Sequence, residues 1–391
     1  MATRRWLRLG VSLDGLGRHP AAWRTDGADP AGAFTLAHLA RAVALAEQGG
    51  LHFVTLDDGF GLQPGGEAAV RGRLDALLAL AAVAPSTRSI GLVPMTDTTH
   101  TEPFNLAKNL ATLDLVSAGR AGWWPNPTTA PEAAALFGRK PAPSSAEAWA
   151  ETEDVIDVVR RLWDSWEDDA VIRDVATGRY VDREKLHYVD FEGRFFSVRG
   201  PSITPRSPQG QPVVFMSGEG AEAMAVAASQ ADVVVVDVGD AAEAARVRTD
   251  LRRRVAEAGR DPDDVALVTS IEAHLADELG AALAGRAELD DLSELRSSDR
   301  FRFTGTPAGL ADVVASWFER EALDGVLVRP SVVDQTLPRL GGGTVPGLVA
   351  RGLVAPPPAD ALLRTRFGLG RPASRYAART AVAAGAEGRH P

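Results

Sequence analysis

Eight short runs rich in β-branched residues alternate with Ala/Leu-rich segments of helical period along this chain of 391 residues. Runs such as Val233–Val236 are apolar at every position, which favours a parallel sheet buried on both faces. The strand candidates are Leu7–Leu13, Phe53–Asp57, Ile90–Met95, Ala121–Trp124, Pro212–Ser217, Val233–Val238, Val265–Ile271 and Gly325–Val328. The helix candidates are Phe34–Gln48, Ala68–Ala84, Pro103–Val116, Ala146–Trp163, Ala221–Gln230, Ala241–Ala258 and Pro307–Glu321.

This alternation predicts an α/β fold of the (β/α)₈ TIM-like barrel type. The alternative is an open doubly wound sheet. It is disfavoured because no Gly-x-Gly-x-x-Gly turn follows the first strand.

Three segments depart from the alternation, and we expect them to decorate one barrel domain covering residues 1–370. An insertion after the fourth helix, at residues 165–206, is too long for a βα connection and is expected to lie over the barrel. The charged segment 272–302 is expected to form a lid or a helix. The C-terminal tail, residues 371–391, has the composition of a poorly ordered segment.

Composition excludes several classes of function. The net charge of −10 argues against nucleic acid and anionic membranes as partners. No apolar run approaches the ~20 residues of a membrane span, and the N-terminus lacks the apolar core of a signal peptide. The absence of cysteine excludes disulfides, zinc–thiolate sites and thiol catalysis, and it is typical of a cytoplasmic protein.

Barrel chemistry gathers where strands end, and two polar motifs follow the second and third strand candidates. Asp57 and Asp58 could accept hydrogen bonds from a ligand, or they could cap the next segment. Thr96–His100 offers hydroxyls, a carboxylate and an imidazole, so His100 is the candidate catalytic side chain; a structural hydrogen bond is the alternative.

A third motif, Ser217-Gly218-Glu219-Gly220, joins a strand to a helix. Free backbone N–H groups at such a helix start suit a phosphate, whereas Glu219 would repel one and suits a cap. The tryptophans at 123–124 and at 163 and 166 could stack on a planar ring, or pack in the core. No His/Asp/Glu set has metal-ligand spacing, and no nucleophile elbow is present.

Several ordered motifs carry a resemblance that covers residues 9–376. They are His19-Pro20-Ala21-Ala22-Trp23-Arg24, Phe53–Asp58, Thr98–Ala107, Ala111–Trp123, Leu162–Ala170, Gly200–Val213 and Gly305-Thr306-Pro307. With these motifs the chain resembles the bacterial luciferase-like flavin monooxygenases, in the branch of nitrilotriacetate monooxygenase and dibenzothiophene-sulfone monooxygenase. The resemblance implies a TIM-like barrel, often dimeric, that uses reduced FMN delivered by a separate reductase to activate O₂.

The resemblance also implies flavin-contacting residues. The Asp after the second strand corresponds to Asp58, and the Thr/Ser cluster after the third strand corresponds to Asp97, Thr98 and Thr99. At other positions of the flavin site the family residues are replaced by Trp124, Ser145 and Trp149, where the family has Asn, His and Tyr.

The family phosphate loop, Ala-Gly-Ser-Ser with an Arg four residues on, reads Ser217-Gly218-Glu219-Gly220 with Met224. Both serines and the Arg are therefore absent. Since a hydrogen bond to a charged group contributes roughly 1.5–3 kcal/mol, these losses predict weaker FMN binding unless backbone N–H groups replace them.

Three functions remain open on the sequence. The first is a two-component FMN-dependent monooxygenase. The second is a deazaflavin (F420)-dependent oxidoreductase of the same fold. The third is a barrel without flavin that binds another ligand or a partner.

Overall fold

The computed structural model describes residues 5–63, 70–293, 300–355 and 362–376. Thirteen strands occur within these ranges. They are β1 (Arg8–Ser12), β2 (Phe53–Leu56), β3 (Gly91–Asp97), β4 (Gly122–Asn126), β5 (Val171–Asp174), β6 (Arg179–Val181), β7 (Phe191–Glu192), β8 (Ser197–Val198), β9 (Val213–Ser217), β10 (Val233–Asp237), β11 (Ala266–Leu275), β12 (Arg302–Gly305) and β13 (Gly325–Pro330).

Twelve α-helices occur in the same described ranges. They are α1 (Leu36–Gln48), α2 (Ala76–Val83), α3 (Pro103–Val116), α4 (Pro131–Phe137), α5 (Ser145–Asp164), α6 (Ala221–Gln230), α7 (Ala241–Glu257), α8 (Leu279–Leu292), α9 (Pro307–Glu319), α10 (Val333–Arg339), α11 (Val345–Ala350) and α12 (Leu363–Arg366).

Eight parallel strands close into a barrel, as the sequence predicts. Their order is β1-β2-β3-β4-β9-β10-β11-β13, and β13 pairs back with β1, so that Arg8 lies opposite Gly325. Strand β12 is added in parallel to the far part of the long strand β11. All eight strand candidates fall on barrel strands, which confirms the fold class.

Helix α2 begins later than the sequence suggests. The expected helix spans Ala68–Ala84, but residues 70–75 are not helical, and residues 64–69 lie outside the described part. Asp75 accepts a hydrogen bond from the Leu78 N–H at 2.8 Å and so caps the helix at this position.

Strand alternation sorts the apolar side chains into two cores. The outward-facing residues, such as Val54, Leu92, Val234 and Val326, pack against the helices. Those facing the barrel interior form a separate cluster with Phe53, Val93, Trp124, Phe215, Val235, Val268 and Leu327. The barrel is therefore a packed core and not a pore.

The C-terminal segment seals the barrel at the end where the strands begin. Leu363 is fully buried and Phe367 is 8% exposed, and both join the interior cluster. Phe367 contacts the Phe53 and Phe215 rings at centroid distances of 5.8 and 5.5 Å. This closed end is called the barrel floor below, and the end where the strands finish is called the mouth.

The insertion contacts α5. It carries two antiparallel hairpins, β5–β6 and β7–β8. Its Phe191 ring lies under the Arg161 guanidinium, and its Arg194 pairs with Glu147 at the start of α5. These contacts attach the insertion to the helical layer around the barrel.

The other two decorating segments have defined positions in the described residues. Most of segment 272–302 is the end of β11 and the helix α8. In the tail, Arg371 pairs with Asp168 and the Tyr376 ring stacks on His187 at 4.7 Å, while residues 377–391 lie outside the described part.

Candidate active site at the barrel mouth

A ring of polar side chains lies above the apolar interior. Side chains two positions apart on a strand share a face, so the residues that follow the interior cluster toward the mouth also face inward. This rule places Asp57, Asp97, Asp237 and Arg329 above Phe53, Val93, Val235 and Leu327. Asp237 is neutralised by Arg300 at 2.6 Å and bonded to the Ser270 hydroxyl. Asp57 and Asp97 form no ion pair within the described residues.

Several buried polar atoms at this end of the barrel have no hydrogen-bond partner among the described residues. They include Thr55 Oγ1, Asp97 Oδ2, His100 Nε2, Trp124 Nε1, Arg329 Nε and Ser331 Oγ, while other such atoms, for example Arg160 Nε and Ser207 Oγ, lie elsewhere in the fold. Buried polar atoms of folded proteins are nearly always bonded, because leaving one unpaired costs about 1–3 kcal/mol. The atoms of this group at the mouth are therefore available to a polar ligand.

His100 sits in an aromatic cluster at the edge of the mouth. Asp97 Oδ1 accepts a hydrogen bond from the His100 N–H at 2.6 Å, which holds the turn after β3. The imidazole stacks on Phe137 of α4 with centroids 4.7 Å apart and planes 8° apart. Phe60 meets both rings edge-on. The stacking fixes the orientation of the half-buried ring, and its buried Nε2 has no partner among the described residues.

Burial raises the pKa of Asp97 above its usual range, although the Thr128 hydroxyl and the His100 N–H partly offset this effect. Burial has the same effect on Asp58. Carboxyl groups with raised pKa values in a concave site are candidates for ligand binding or proton handling.

Asp58 is already engaged by the backbone. One carboxylate oxygen accepts from the Gly59 N–H at 2.7 Å, and the other accepts from the Ala76 N–H at 3.0 Å. These bonds anchor the first turn of α2 to the end of β2. Of the two interpretations of the pair after β2, the capping role therefore has direct structural support for Asp58.

The two threonines after Asp97 also bind protein groups. Thr98 faces α5, where its hydroxyl lies 2.7 Å from that of Thr152. Thr99 Oγ1 accepts from the Thr128 N–H at 2.9 Å and so joins the turns after β3 and β4. Both residues support the walls of the mouth, and Thr98 points away from its centre.

The adjacent tryptophans of β4 have opposite environments. Trp123 is fully buried outside the barrel, donates to Thr96 Oγ1 at 2.7 Å and meets Trp163 edge-on. Trp124 belongs to the interior cluster, is 4% exposed, and its Nε1 has no partner among the described residues. Trp163 and Trp166 donate to backbone oxygens, so Trp124 is the indole that the fold places under the mouth.

The candidate phosphate loop lies between β9 and α6. Gly218 is required there, since a Cβ atom would lie 2.7 Å from Val236 and 3.0 Å from Met224. Gly220, at φ +93°, is the N-cap of α6 and provides no side-chain cap. The first N–H groups of α6 therefore have no intrahelical acceptor and are available to an anion.

Glu219 does not cover these N–H groups. Its Oε1 accepts from the Asp237 N–H at 2.7 Å, which draws the carboxylate toward the end of β10. Ser217 Oγ accepts from the Glu219 N–H at 3.2 Å and keeps the loop tight.

Two further candidates lie on α5. Ser145 is exposed in its first turn, where the capping box belongs to Ser144 and Glu147, and Trp149 is half-buried against the outer core. Ser145 and Trp149 therefore lie close to each other on the outside of the barrel, whereas Trp124 lies inside it.

The residues at the mouth fit both parts of a flavin mononucleotide, its ring and its phosphate. Unpaired donors and acceptors around Trp124, His100 and Arg329 suit a ring with carbonyl and N–H groups. The start of α6 suits a phosphate through its N–H groups. No cationic side chain of the phosphate loop assists, since Met224 packs against Gly218.

The sequence model of the luciferase-like monooxygenase family matches residues 19–310. This chain belongs to that family. It is 29% identical to N-acetyl-S-(2-succino)cysteine monooxygenase of Bacillus subtilis (strain 168), with 96% of this chain and 99% of the relative covered. Identity to nitrilotriacetate monooxygenase component A of Aminobacter aminovorans is also 29%, with the same coverage, which confirms the branch named by the sequence motifs.

Among solved structures, riboflavin lyase, determined with a modified FMN and riboflavin, superposes with a TM-score of 0.86 at 26% identity. The match covers 95% of this chain and 98% of that chain. In the described part of this chain no helix is long and apolar enough to cross a membrane, and no group of three or more His, Asp or Glu side chains is arranged to hold a metal ion.

The rule that barrel chemistry gathers where strands end also selects residues 329–331, although the sequence assigns them no role. Arg329 lies near the end of β13, and Ser331 directly follows that strand. Strand alternation places Arg329 on the inward face, because it is two positions beyond Leu327.

Proposed function

We propose that this protein is the oxygenase of a two-component system, in which reduced FMN from a separate flavin reductase and O₂ oxidise a small organic substrate. The proposal is carried by the coincidence, in a luciferase-like barrel, of unpaired buried polar atoms at the mouth with a helix start free to take a phosphate. When bound, the reduced flavin supplies the electrons that the oxidation with O₂ requires.

In this proposal the protein's own residues bind the flavin, orient its ring and shield the ring from water. The Trp124 indole forms the apolar base of the ring site, and Thr55 and Arg329 offer polar contacts at its edge. The N–H groups of the first turn of α6 hold the phosphate without a charged side chain. We therefore expect weaker binding than a loop with serines and an arginine would give.

His100 offers its Nε2 to the ring site, since this atom has no partner among the described residues and the imidazole stacks on Phe137. Phe60 and Phe137 cover one side of the imidazole with apolar rings, which reduces its contact with water. The role of His100 in this proposal is to hold or transfer a proton at Nε2 while the substrate is oxidised.

The test is an anaerobic titration of the protein with reduced FMN, oxidised FMN, riboflavin and F420, followed by fluorescence and calorimetry. We expect saturable binding of reduced FMN, weaker binding of riboflavin, and loss of the difference between them in Gly220→Asp. The matched control is Gly178→Asp, in an exposed turn of the insertion at φ +68°.

Two results would overturn the proposal. Binding of F420 alone would favour the deazaflavin-dependent oxidoreductase. Failure of every flavin to bind a folded protein would favour the barrel without flavin.

A further inference from the structure

A cavity of about 50 Å³ opens at the rim of the mouth, where β1 and β2 end against α1. Its apolar side is formed by Leu13, Leu39, Leu56 and Val333, and Phe34 borders it. Its polar side is formed by Asp14, His38, Asp57 and Arg73. Of these side chains only Asp57 also belongs to the polar ring at the mouth, and the cavity is called the rim cavity below.

His38 contributes a donor to the rim cavity. The residue is 9% exposed, and its Nδ1 lies 3.3 Å from Nη2 of Arg41. Because a guanidinium can only donate, Nδ1 accepts and the proton of a neutral imidazole resides on Nε2. That Nε2 is buried and has no acceptor among the described residues.

Arg73 contributes a second free donor. Its Nε is buried without an acceptor in the described part of the chain, and no described carboxylate lies within ion-pair distance of its guanidinium. The exposed Arg71, two residues earlier on the same segment, does not line the cavity. Among the described residues, a guanidinium Nε–H and an imidazole N–H therefore lack acceptors at this cavity, which favours a ligand with acceptor oxygens.

The charge around the rim cavity is compatible with an anion. Arg18, Arg73 and Arg329 lie near enough to Asp14 to affect it, whereas Asp57 is its acidic neighbour. Burial is the main cause that raises the pKa of Asp14, and the proximity of Asp57 adds to it. Arg18 pairs with Asp14 at 3.8 Å from outside the lining, so Arg73 is the arginine of the cavity wall and Asp14 already has a cationic neighbour.

The size limits the group that can enter. A water molecule needs about 10–15 Å³ by the same measure, so the rim cavity holds a group of only a few non-hydrogen atoms. A planar carboxylate with one or two adjoining carbons is of this size, and the aliphatic side would contact those carbons.

We propose that the rim cavity is the anchoring subsite for a carboxylate group of the substrate, with Arg73 and His38 donating to its two oxygens. This inference rests on the proposed oxygenase function, and it names the substrate class as small organic acids. The remainder of the substrate would extend over the rim toward the centre of the mouth, because Asp57 belongs to both places.

The experiment is a calorimetric titration of the flavin-free protein with sodium propionate, and with propylammonium chloride and propanol as probes of the same size. The variants are Arg73→Gln and His38→Gln, with Arg71→Gln as the matched control on the same segment. Thermal unfolding of each variant establishes that it is folded.

We expect saturable millimolar binding of propionate only, at least tenfold weaker in Arg73→Gln and His38→Gln and unchanged in Arg71→Gln. Reduced FMN should bind all four proteins equally. Absence of propionate binding, equal binding to Arg73→Gln, or tighter binding of propylammonium would overturn the subsite. Propionate binding without any flavin binding would instead overturn the oxygenase proposal and leave the subsite.

Discussion

The buried carboxylates at the two ends of the barrel differ in their ion pairs and in the direction of their pKa shifts. At the floor, Asp232 accepts from the Val214 N–H at 2.8 Å and pairs with Arg160 and Arg364. Burial alone would raise its pKa, but the two arginines together with the Val214 N–H lower it. At the mouth, Asp97 has no ion pair within the described residues, and burial raises its pKa.

This difference distinguishes carboxylates that stabilise the fold from carboxyl groups that are available to bind a ligand. A carboxylate with several protein donors is part of the structure, and removing it leaves buried charges uncompensated. A carboxyl group surrounded by unpaired polar atoms contributes little to folding and much to binding. Substitutions at the two ends should therefore change different measurements.

The largest effect on stability should come from Asp232→Asn at the floor. It leaves Arg160 and Arg364 without their carboxylate, so we expect a loss of about 4 kcal/mol in the free energy of unfolding. Urea unfolding measures it. Asp250→Asn on the exposed side of α7 is the control and should change stability by less than about 0.5 kcal/mol.

The next effect should come from Leu363→Ala, which opens a void under the interior cluster. Leu363 is fully buried there, so the expected loss is about 3 kcal/mol. A differential scanning experiment with the exposed Leu78→Ala as reference checks it. A change no larger than that of the reference would mean that the C-terminal segment does not seal the floor.

Acidification should destabilise the floor side through His52. Burial is the main cause that lowers the pKa of His52 to about 4, and the imidazole accepts the Leu9 N–H at 3.0 Å. Between pH 6.5 and 4 the unfolded chain takes up a proton that the folded protein cannot bind. Stability is therefore full above pH 6.5 and falls by about 3 kcal/mol as the pH reaches 4.

Urea unfolding at several pH values between 4 and 6.5 gives the free energy of unfolding as a function of pH. This dependence on pH should be weaker for His52→Gln than for the native chain. Equal slopes would show that His52 is not responsible.

The smallest effect on stability should be that of Asp97→Asn at the mouth. The Asn oxygen can still accept from the His100 N–H, and no cation loses its partner, so we expect a change below about 1 kcal/mol. Flavin affinity, measured in the same preparation, should change more than stability does. A loss comparable to that of Asp232→Asn would erase the contrast between the two ends.

The sequence predicts the barrel well because its strands are buried on both faces, so that runs such as Val233–Val236 have no other stable environment. It predicts the position of Asp97 and His100 because strand ends meet at one face. It offers capping as one of two interpretations of Asp58, and it cannot predict that Thr98 turns to α5 or that His38 and Arg73 line one cavity. Those relations depend on how distant segments pack.

The most direct test of the proposed flavin site is a crystal of this protein soaked anaerobically with reduced FMN. We expect flavin density at the mouth, with the ring above Trp124 and beside His100 and the phosphate at the start of α6. Density elsewhere, or a mouth that stays free of flavin while the protein binds FMN in solution, would contradict it.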